Sequence, residues 1–206
     1  MTRKLKALGL ALVAVFAMSA LSAASASAIE FHSEAAHTDL RAEQHAGEDT
    51  MTVNAGTTRC SHTTWVGTQS SATSSTLSIS VTHTGCKAFG FINTTIDSNG
   101  CSYRFDSNGN NVDVLCGATP ITVTAFNCWV TIGSQENIGS VTFTNQGSGS
   151  SRDITIDLNL TGTKYTQHSK SFPGCTNGSF TNGTWSGGLT LRGFDTAGMQ
   201  VGIWVS

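Results

Sequence analysis

Between Asp97 and Gly109 the chain reads DSNGCSYRFDSNG, so that Asp-Ser-Asn-Gly occurs twice, nine residues apart. Asn-Gly is the preferred pair for tight hairpins because both residues accept positive φ. An Asp at the flank of such a turn accepts from local backbone N–H groups. A two-residue turn at Asn108-Gly109 sets Ser107 opposite Asn110, Phe105 opposite Val112, Tyr103 opposite Val114 and Cys101 opposite Cys116. The last six are all apolar or Cys and share one face, while Arg104 meets Asp113 on the other. Nothing in the choice of turn imposes that agreement. By the same count, a turn at Asn99-Gly100 sets Tyr103 opposite Ile96 and puts Ile96 and Ile92 on the core face. A calcium-binding reading is weaker. Repeat-type calcium coils need several tandem nonapeptides with glycine pairs. In DSNGNN the Gly is fourth, not sixth, and no Glu closes the loop.

The two-residue period recurs along the chain. In RDITIDLNLTG (152–162), Ile154, Ile156, Leu158 and Leu160 alternate with polar residues, the mark of a half-buried strand. Leu77, Ile79 and Val81 repeat it, as do Ile121 with Val123 and Val141 with Phe143. No helix-period segment of useful length follows the N-terminus. The expected fold is a single all-β domain over residues 29–206, an antiparallel sandwich or barrel of roughly ten or more short, disulfide-linked strands. Residues 29–50 are expected as an edge or poorly ordered segment, and MQVGIWVS at the end as a central or closing strand. Trp185 shares parity with Leu189 and Leu191 and belongs to the core. TTWVGT and GTWSGG hint at two similar strands.

Residues 1–28 carry Arg3, Lys4 and Lys6, then the apolar run Ala7 to Ala17, then Ala26-Ser27-Ala28, the pattern of a secretory signal peptide. The run is short of the ~20 residues of a membrane span. Without those three cations, eight of the 11 basic residues remain against 13 acidic ones, a net charge near −5. No basic patch is visible, which argues against nucleic acid as a partner. The six cysteines, Cys60, Cys86, Cys101, Cys116, Cys128 and Cys175, imply three disulfides in an exported chain. The hairpin pairs Cys101 with Cys116, although its register makes them a hydrogen-bonded pair, the less comfortable site for a bridge. An up-and-down meander then pairs Cys86 with Cys128 and leaves Cys60 for Cys175. The alternative joins Cys86 to Cys101 and Cys116 to Cys128.

Candidate sites are few. Glu30, His32, Glu34 and His37 have metal-ligating side chains, but the spacing to a third His is missing and an exposed polar edge explains them more simply; no metal or cofactor is expected. His62 or His83 with a Ser could build a triad, yet no G-x-S-x-G elbow occurs. Asp153 and Asp157 lie on one strand face and could serve glycoside hydrolysis, or be merely solvated. Trp129 is opposite in parity to Cys128 and Val130, and Trp204 to Ile203 and Val205, so both are expected to face outward or toward a second layer. An outward Trp can stack on a sugar ring or anchor a protein.

TGCKAFGFINTTIDSNGCSYRF, VDVLC and the closing VGIWV together resemble a group of uncharacterised small secreted bacterial β-proteins. The resemblance covers most of residues 29–206. It implies export and a β fold and brings no activity or site residues with it. The expected function is a secreted, non-catalytic extracellular binding or envelope-associated module, its partner a cell-surface glycan or protein. The alternative is a secreted hydrolase acting on glycans.

Overall fold

The computed structural model describes residues 29–45, 47–109, 111–170 and 174–206. Residues 1–28, expected as a signal peptide, and Asn110, the expected partner of Ser107, lie outside the described residues. Among the described residues sixteen strands follow one another: β1 (Phe31–Ser33), β2 (Thr38–Gln44), β3 (Asp49–Val53), β4 (Gly56–Gln69), β5 (Thr73–Ser74), β6 (Thr76–Ala88), β7 (Ile92–Asp97) and β8 (Ser102–Asp106). Then come β9 (Val112–Leu115), β10 (Ile121–Ala125), β11 (Cys128–Ile132), β12 (Gly139–Gln146), β13 (Asp153–Ser169), β14 (Gly178–Phe194), β15 (Gln200–Val201) and β16 (Ile203–Val205). One short 3₁₀ turn, Gly149–Ser151, interrupts them.

Four strands are long: β4, β6, β13 and β14, of 14, 13, 17 and 17 residues. Each takes different neighbours along its two halves. At one end, pairings run β3-β4-β6-β7-β10-β11-β13-β14 and return to β3, a closed eight-strand circuit. At the other end β2 lies between β4 and β14, β8 and β9 extend from β6, and β12 extends from β13. The bridge Val114↔Gln135 and the bonds from Ile138 N to Val112 O and from Val141 N to Gly109 O link β9 to the β12 side. Closure removes the sheet edges that would otherwise invite pairing with another chain. The passage between the two halves of β13 falls at Gly162, where φ is +75° and the register to β14 shifts, a bulge that only Gly takes without strain.

The β8–β9 hairpin has the expected register, with Phe105↔Val112, Tyr103↔Val114 and Arg104↔Asp113. Its turn is wider than two residues, because Asp106 N donates to Asn111 O and Gly109 N to Asp106 O. This moves the hydrogen bonds to the Arg104–Asp113 phase, so Cys101 and Cys116 become a non-hydrogen-bonded pair. They are disulfide-bonded with their Cα atoms 4.2 Å apart, and the awkwardness expected of that bridge disappears. The Asn99-Gly100 turn forms, with φ of +49° and +75°, but it does not fold β7 back on β8. Both strands run antiparallel to β6 in one line, and the turn is an offset between them. Tyr103 therefore faces Ile79, and Ile96 faces Val123, not each other.

The other two disulfides differ from the meander expectation and from its alternative: Cys60 bonds Cys86, and Cys128 bonds Cys175. Cys60 and Cys86 stand directly opposite in the β4–β6 ladder, a pairing that skips over β5. Cys128 ends the ladder to β13 opposite Ser169, next to the connection that carries Cys175. The 29–50 segment is not an edge, since β1 lies between β16 and β5 and β2 between β4 and β14. The C-terminal MQVGIWVS is not central: β16 is the rim of a three-stranded sheet, β16-β1-β5. That sheet caps the β2 end of the barrel, where fully buried Phe31 meets Phe143 edge-on at 5.1 Å.

Candidate functional site

The barrel end away from that cap is formed by hairpin tips. The β3–β4 tip carries Asn54 and Ala55, the β6–β7 tip Phe89, Gly90 and Phe91, and the β10–β11 tip Phe126 and Asn127. Because β7 and β10 pair through Thr94↔Ala125, the last two tips lie side by side. Phe89, Phe91 and Phe126 are 47%, 76% and 71% exposed. Phe89 lines an apolar opening with Met51, Val53, Ala88, Ile92, Val123 and Val130, whose cavity holds only about 30 Å³, and Phe91 and Phe126 stand on the tips beside it. The Phe89 ring lies over Gly56, where a Cβ would collide with it.

Two of these phenylalanines are conformationally costly. Phe89 has φ of +55° and Phe126 of +51°, left-handed backbone that bulky residues rarely adopt. Tight hairpins place Gly, Asn or Asp at such positions. Strain of this kind persists where the surroundings hold it, and it clusters at functional sites.

Behind the tips stands a collar of cations. Arg59 and Lys87 are directly opposite each other across β4 and β6, an unfavourable like-charge pair. Arg59 also lies 3.6 Å from Glu48. Lys170 Nζ is 5.6 Å from the centre of the Trp129 ring, and His168, the cross-strand partner of Trp129, stacks on it at 5.1 Å and 11°. Trp129 thus sits half-buried on the outer wall, one residue from the Cys128 bridge. Trp204 repeats the arrangement in the capping sheet, with His32 stacked at 5.2 Å and the Arg152 guanidinium 4.5 Å from its ring centre. The two tryptophans occupy different sheets at opposite ends and do not form one site.

The barrel interior holds a second concentration of polar groups. Trp65 and Trp185 come from β4 and β14, the strands that carry the TTWVGT and GTWSGG echo, and each packs 5.5 Å from Tyr103. His83 lies 4.9 Å from Trp185, and burial lowers its pKa to about 4. Asp49 is buried beside Thr63, and burial raises its pKa against the opposing hydrogen bond from Thr63. Burial, and secondarily the Asp49 carboxylate, raises the Tyr103 hydroxyl above its usual range. Asp49 Oδ2, both His83 ring nitrogens and Trp185 Nε1 have no hydrogen-bond partner among the described residues. The cluster is enclosed by the barrel wall, so it fixes the packing of the core and gives a solute no access.

The remaining sequence candidates do not converge. His62 is exposed on the outer face while His83 points inward from the neighbouring strand, so they share no site. Asp153 and Asp157 both lie on the outer wall, four residues apart on one strand and so about 13 Å by strand rise. That exceeds the reach of paired glycosidase carboxylates, which is roughly 5–9.5 Å. Asp153 accepts from Arg192 and Gln200, and Asp157 is 3.7 Å from His45. Glu34 accepts from Gly202 N, His32 stacks on Trp204 and His37 lies near Asp39, so the N-terminal acids and histidines have separate partners. Among the described residues, no cluster of three or more His, Cys, Asp or Glu side chains suits a metal ion. Nor is any helix among them long and apolar enough to cross a membrane.

Compared with protein-family models, with curated proteins and with solved structures, the chain matches none. The reading of the site therefore rests on its own geometry. Phe89, Phe91 and Phe126 are not among the candidates read from the sequence. A signal was available in AFGF and AFNC: an aromatic standing at the first turn position between two strand patterns, where a small or amide residue belongs.

Proposed function

We propose that this protein is a secreted, non-catalytic binding module that engages its partner through the phenylalanine-rimmed mouth of the barrel. One observation carries the reading: Phe89 and Phe126 are held at positive φ on neighbouring tips with their rings exposed, Phe89 lining an apolar opening and Phe126 on the tip beside it. Small or amide residues at these positions would make easier turns, so exposed aromatic surface is the gain to set against the strain. The export part rests on the signal-like segment 1–28 and is compatible with six cysteines that are all bridged.

The dye 1-anilinonaphthalene-8-sulfonate, which brightens on apolar surface, tests the mouth. The folded protein should enhance its emission, and Phe91→Ser with Phe126→Ser should abolish most of the enhancement while near-ultraviolet circular dichroism stays unchanged. Enhancement that survives both substitutions would overturn the assignment. Export is tested separately, by finding in the culture medium a chain that begins at Ile29 and has no free thiol.

A further inference from the structure

Resting on that reading of the mouth, we infer that the partner is the surface of an anionic lipid bilayer, into which Phe89, Phe91 and Phe126 insert while Arg59, Lys87 and Lys170 meet the headgroups. The opening itself is too small for an enclosed ligand. Its 30 Å³ is space for about one water, whereas pockets for drug-sized molecules run to roughly 300–1,000 Å³. What the site offers is protrusion: three rings on adjacent tips, presented to something broad and apolar.

The charge distribution selects among broad apolar partners. The segments that run toward this end, 47–60, 84–94, 123–130, 165–170 and 174–182, carry Arg59, Lys87 and Lys170 against Glu48 and the inward-facing Asp49. The rest of residues 29–206 carries five cations against eleven acids. The aromatic end is thus the basic end of an acidic molecule, and it would approach an anionic layer with that end first. Opposed Arg59 and Lys87 repel each other in the free protein, and a layer of phosphates between and around them reverses the sign of that interaction. Each such cation strengthens attachment to an anionic surface about fivefold. Trp129, an amphipathic ring on the outer wall just behind the tips, stands at the depth where tryptophan favours a membrane interface. The barrel wall is not lipid-facing. The outward residues of β6 and β13, among them Ser78, Thr82, Thr84, Asp157, Asn159 and Thr161, are exposed and polar, so only the tips enter.

Co-sedimentation with vesicles of phosphatidylcholine mixed with phosphatidylglycerol, and with vesicles of phosphatidylcholine alone, tests this. The full exported chain should partition at least about tenfold better onto the anionic vesicles. High salt should reduce that partitioning, as should Arg59→Gln with Lys87→Gln, and Phe91→Ser with Phe126→Ser should remove it. Equal binding to both vesicle types, or anionic binding that survives the phenylalanine substitutions, overturns the inference. If no vesicles bind while the dye still reports the mouth, the bilayer is the wrong partner and the binding mouth stands. If the dye signal is also missing, both readings fall. Dimerisation of the protein alone that Phe91→Ser with Phe126→Ser abolishes would mean a second copy covers the tips, and overturns the bilayer.

Discussion

Replacing His83 by Phe should remove an acid sensitivity built into the barrel core. Above pH 6.5 the imidazole is neutral whether the chain is folded or not, and it contributes no pH dependence. As pH falls, the unfolded chain takes up the proton near 6.5, while the folded chain, with the ring buried against Trp185, follows only at about 4. Stability is therefore lost across that window, and the separation corresponds to about 3 kcal/mol. Asp49 works in the opposite direction. Its folded pKa is raised above 3.8, so its unfavourable contribution appears as pH rises through the folded value and is absent below 3.8. The two act in opposite directions in the parent protein. Taking the difference in unfolding free energy between parent and His83→Phe at each pH cancels Asp49 and the surface carboxylates. The assay is urea unfolding with disulfides intact, at steps from pH 7.5 to 4, using only data with an unchanged m value. The difference should move by about 3 kcal/mol in favour of the variant between pH 6.5 and 4. A difference that stays constant within about 0.5 kcal/mol would refute the reasoning, because the ring would then be reaching solvent or a partner that accepts its charge.

Asp49→Asn should raise stability at pH 7, since it removes the negative charge whose burial raises the Asp49 pKa while keeping the size of the side chain. That advantage should shrink as pH approaches 3.8, and thermal melts at neutral and acid pH that show no such convergence would count against it. Converting both Cys128 and Cys175 to Ser should lower stability by about 4 kcal/mol, and Cys101 with Cys116 by about 3, because their sequence separations are 47 and 15. A reversed order in urea midpoints would show that packing, not chain entropy, sets these contributions. Phe126→Asn should leave stability unchanged or raise it by up to about 1 kcal/mol, as relief of about 1–2 kcal/mol of left-handed strain outweighs the little burial lost from a ring 71% exposed. A loss above about 1 kcal/mol would make this residue a packing element instead.

The local pattern carried the β8–β9 register, the inward face of β13 and the place of Trp185, because alternation and turn chemistry are decided within about ten residues. It did not carry the partner of each strand. β7 and β8 share one edge of β6, and an Asn-Gly pair that usually reverses a chain serves there as an offset in a continuous line. Nor do the Cys pairings follow from spacing, since Cys60 reaches Cys86 only because β4 and β6 pair along nearly their whole length across β5. The candidate site failed to register for a related reason. An aromatic in a turn reads as one more apolar residue until the backbone shows positive φ and the fold sets two such turns together.

Closure of the barrel also narrows where a partner can be met. Among the described residues, Trp65, Tyr103, His83 and Trp185 fill the middle of the barrel and leave a solute no way through. Among the described residues the outer wall is mostly Thr, Ser, Asn and Asp, interrupted by half-buried Trp129 and by exposed Val66. The β16-β1-β5 sheet closes one end, with Phe31 sealed beneath it. The opposite end, among the described residues, has no such sheet and instead carries Phe89, Phe91 and Phe126, of which Phe89 and Phe126 hold conformations that work against stability. A fold that caps one end with buried Phe31 and tips the other with exposed phenylalanines has separated its stability from its proposed binding surface. Substitutions at the tips should therefore alter vesicle and dye binding well before they change whether the protein folds.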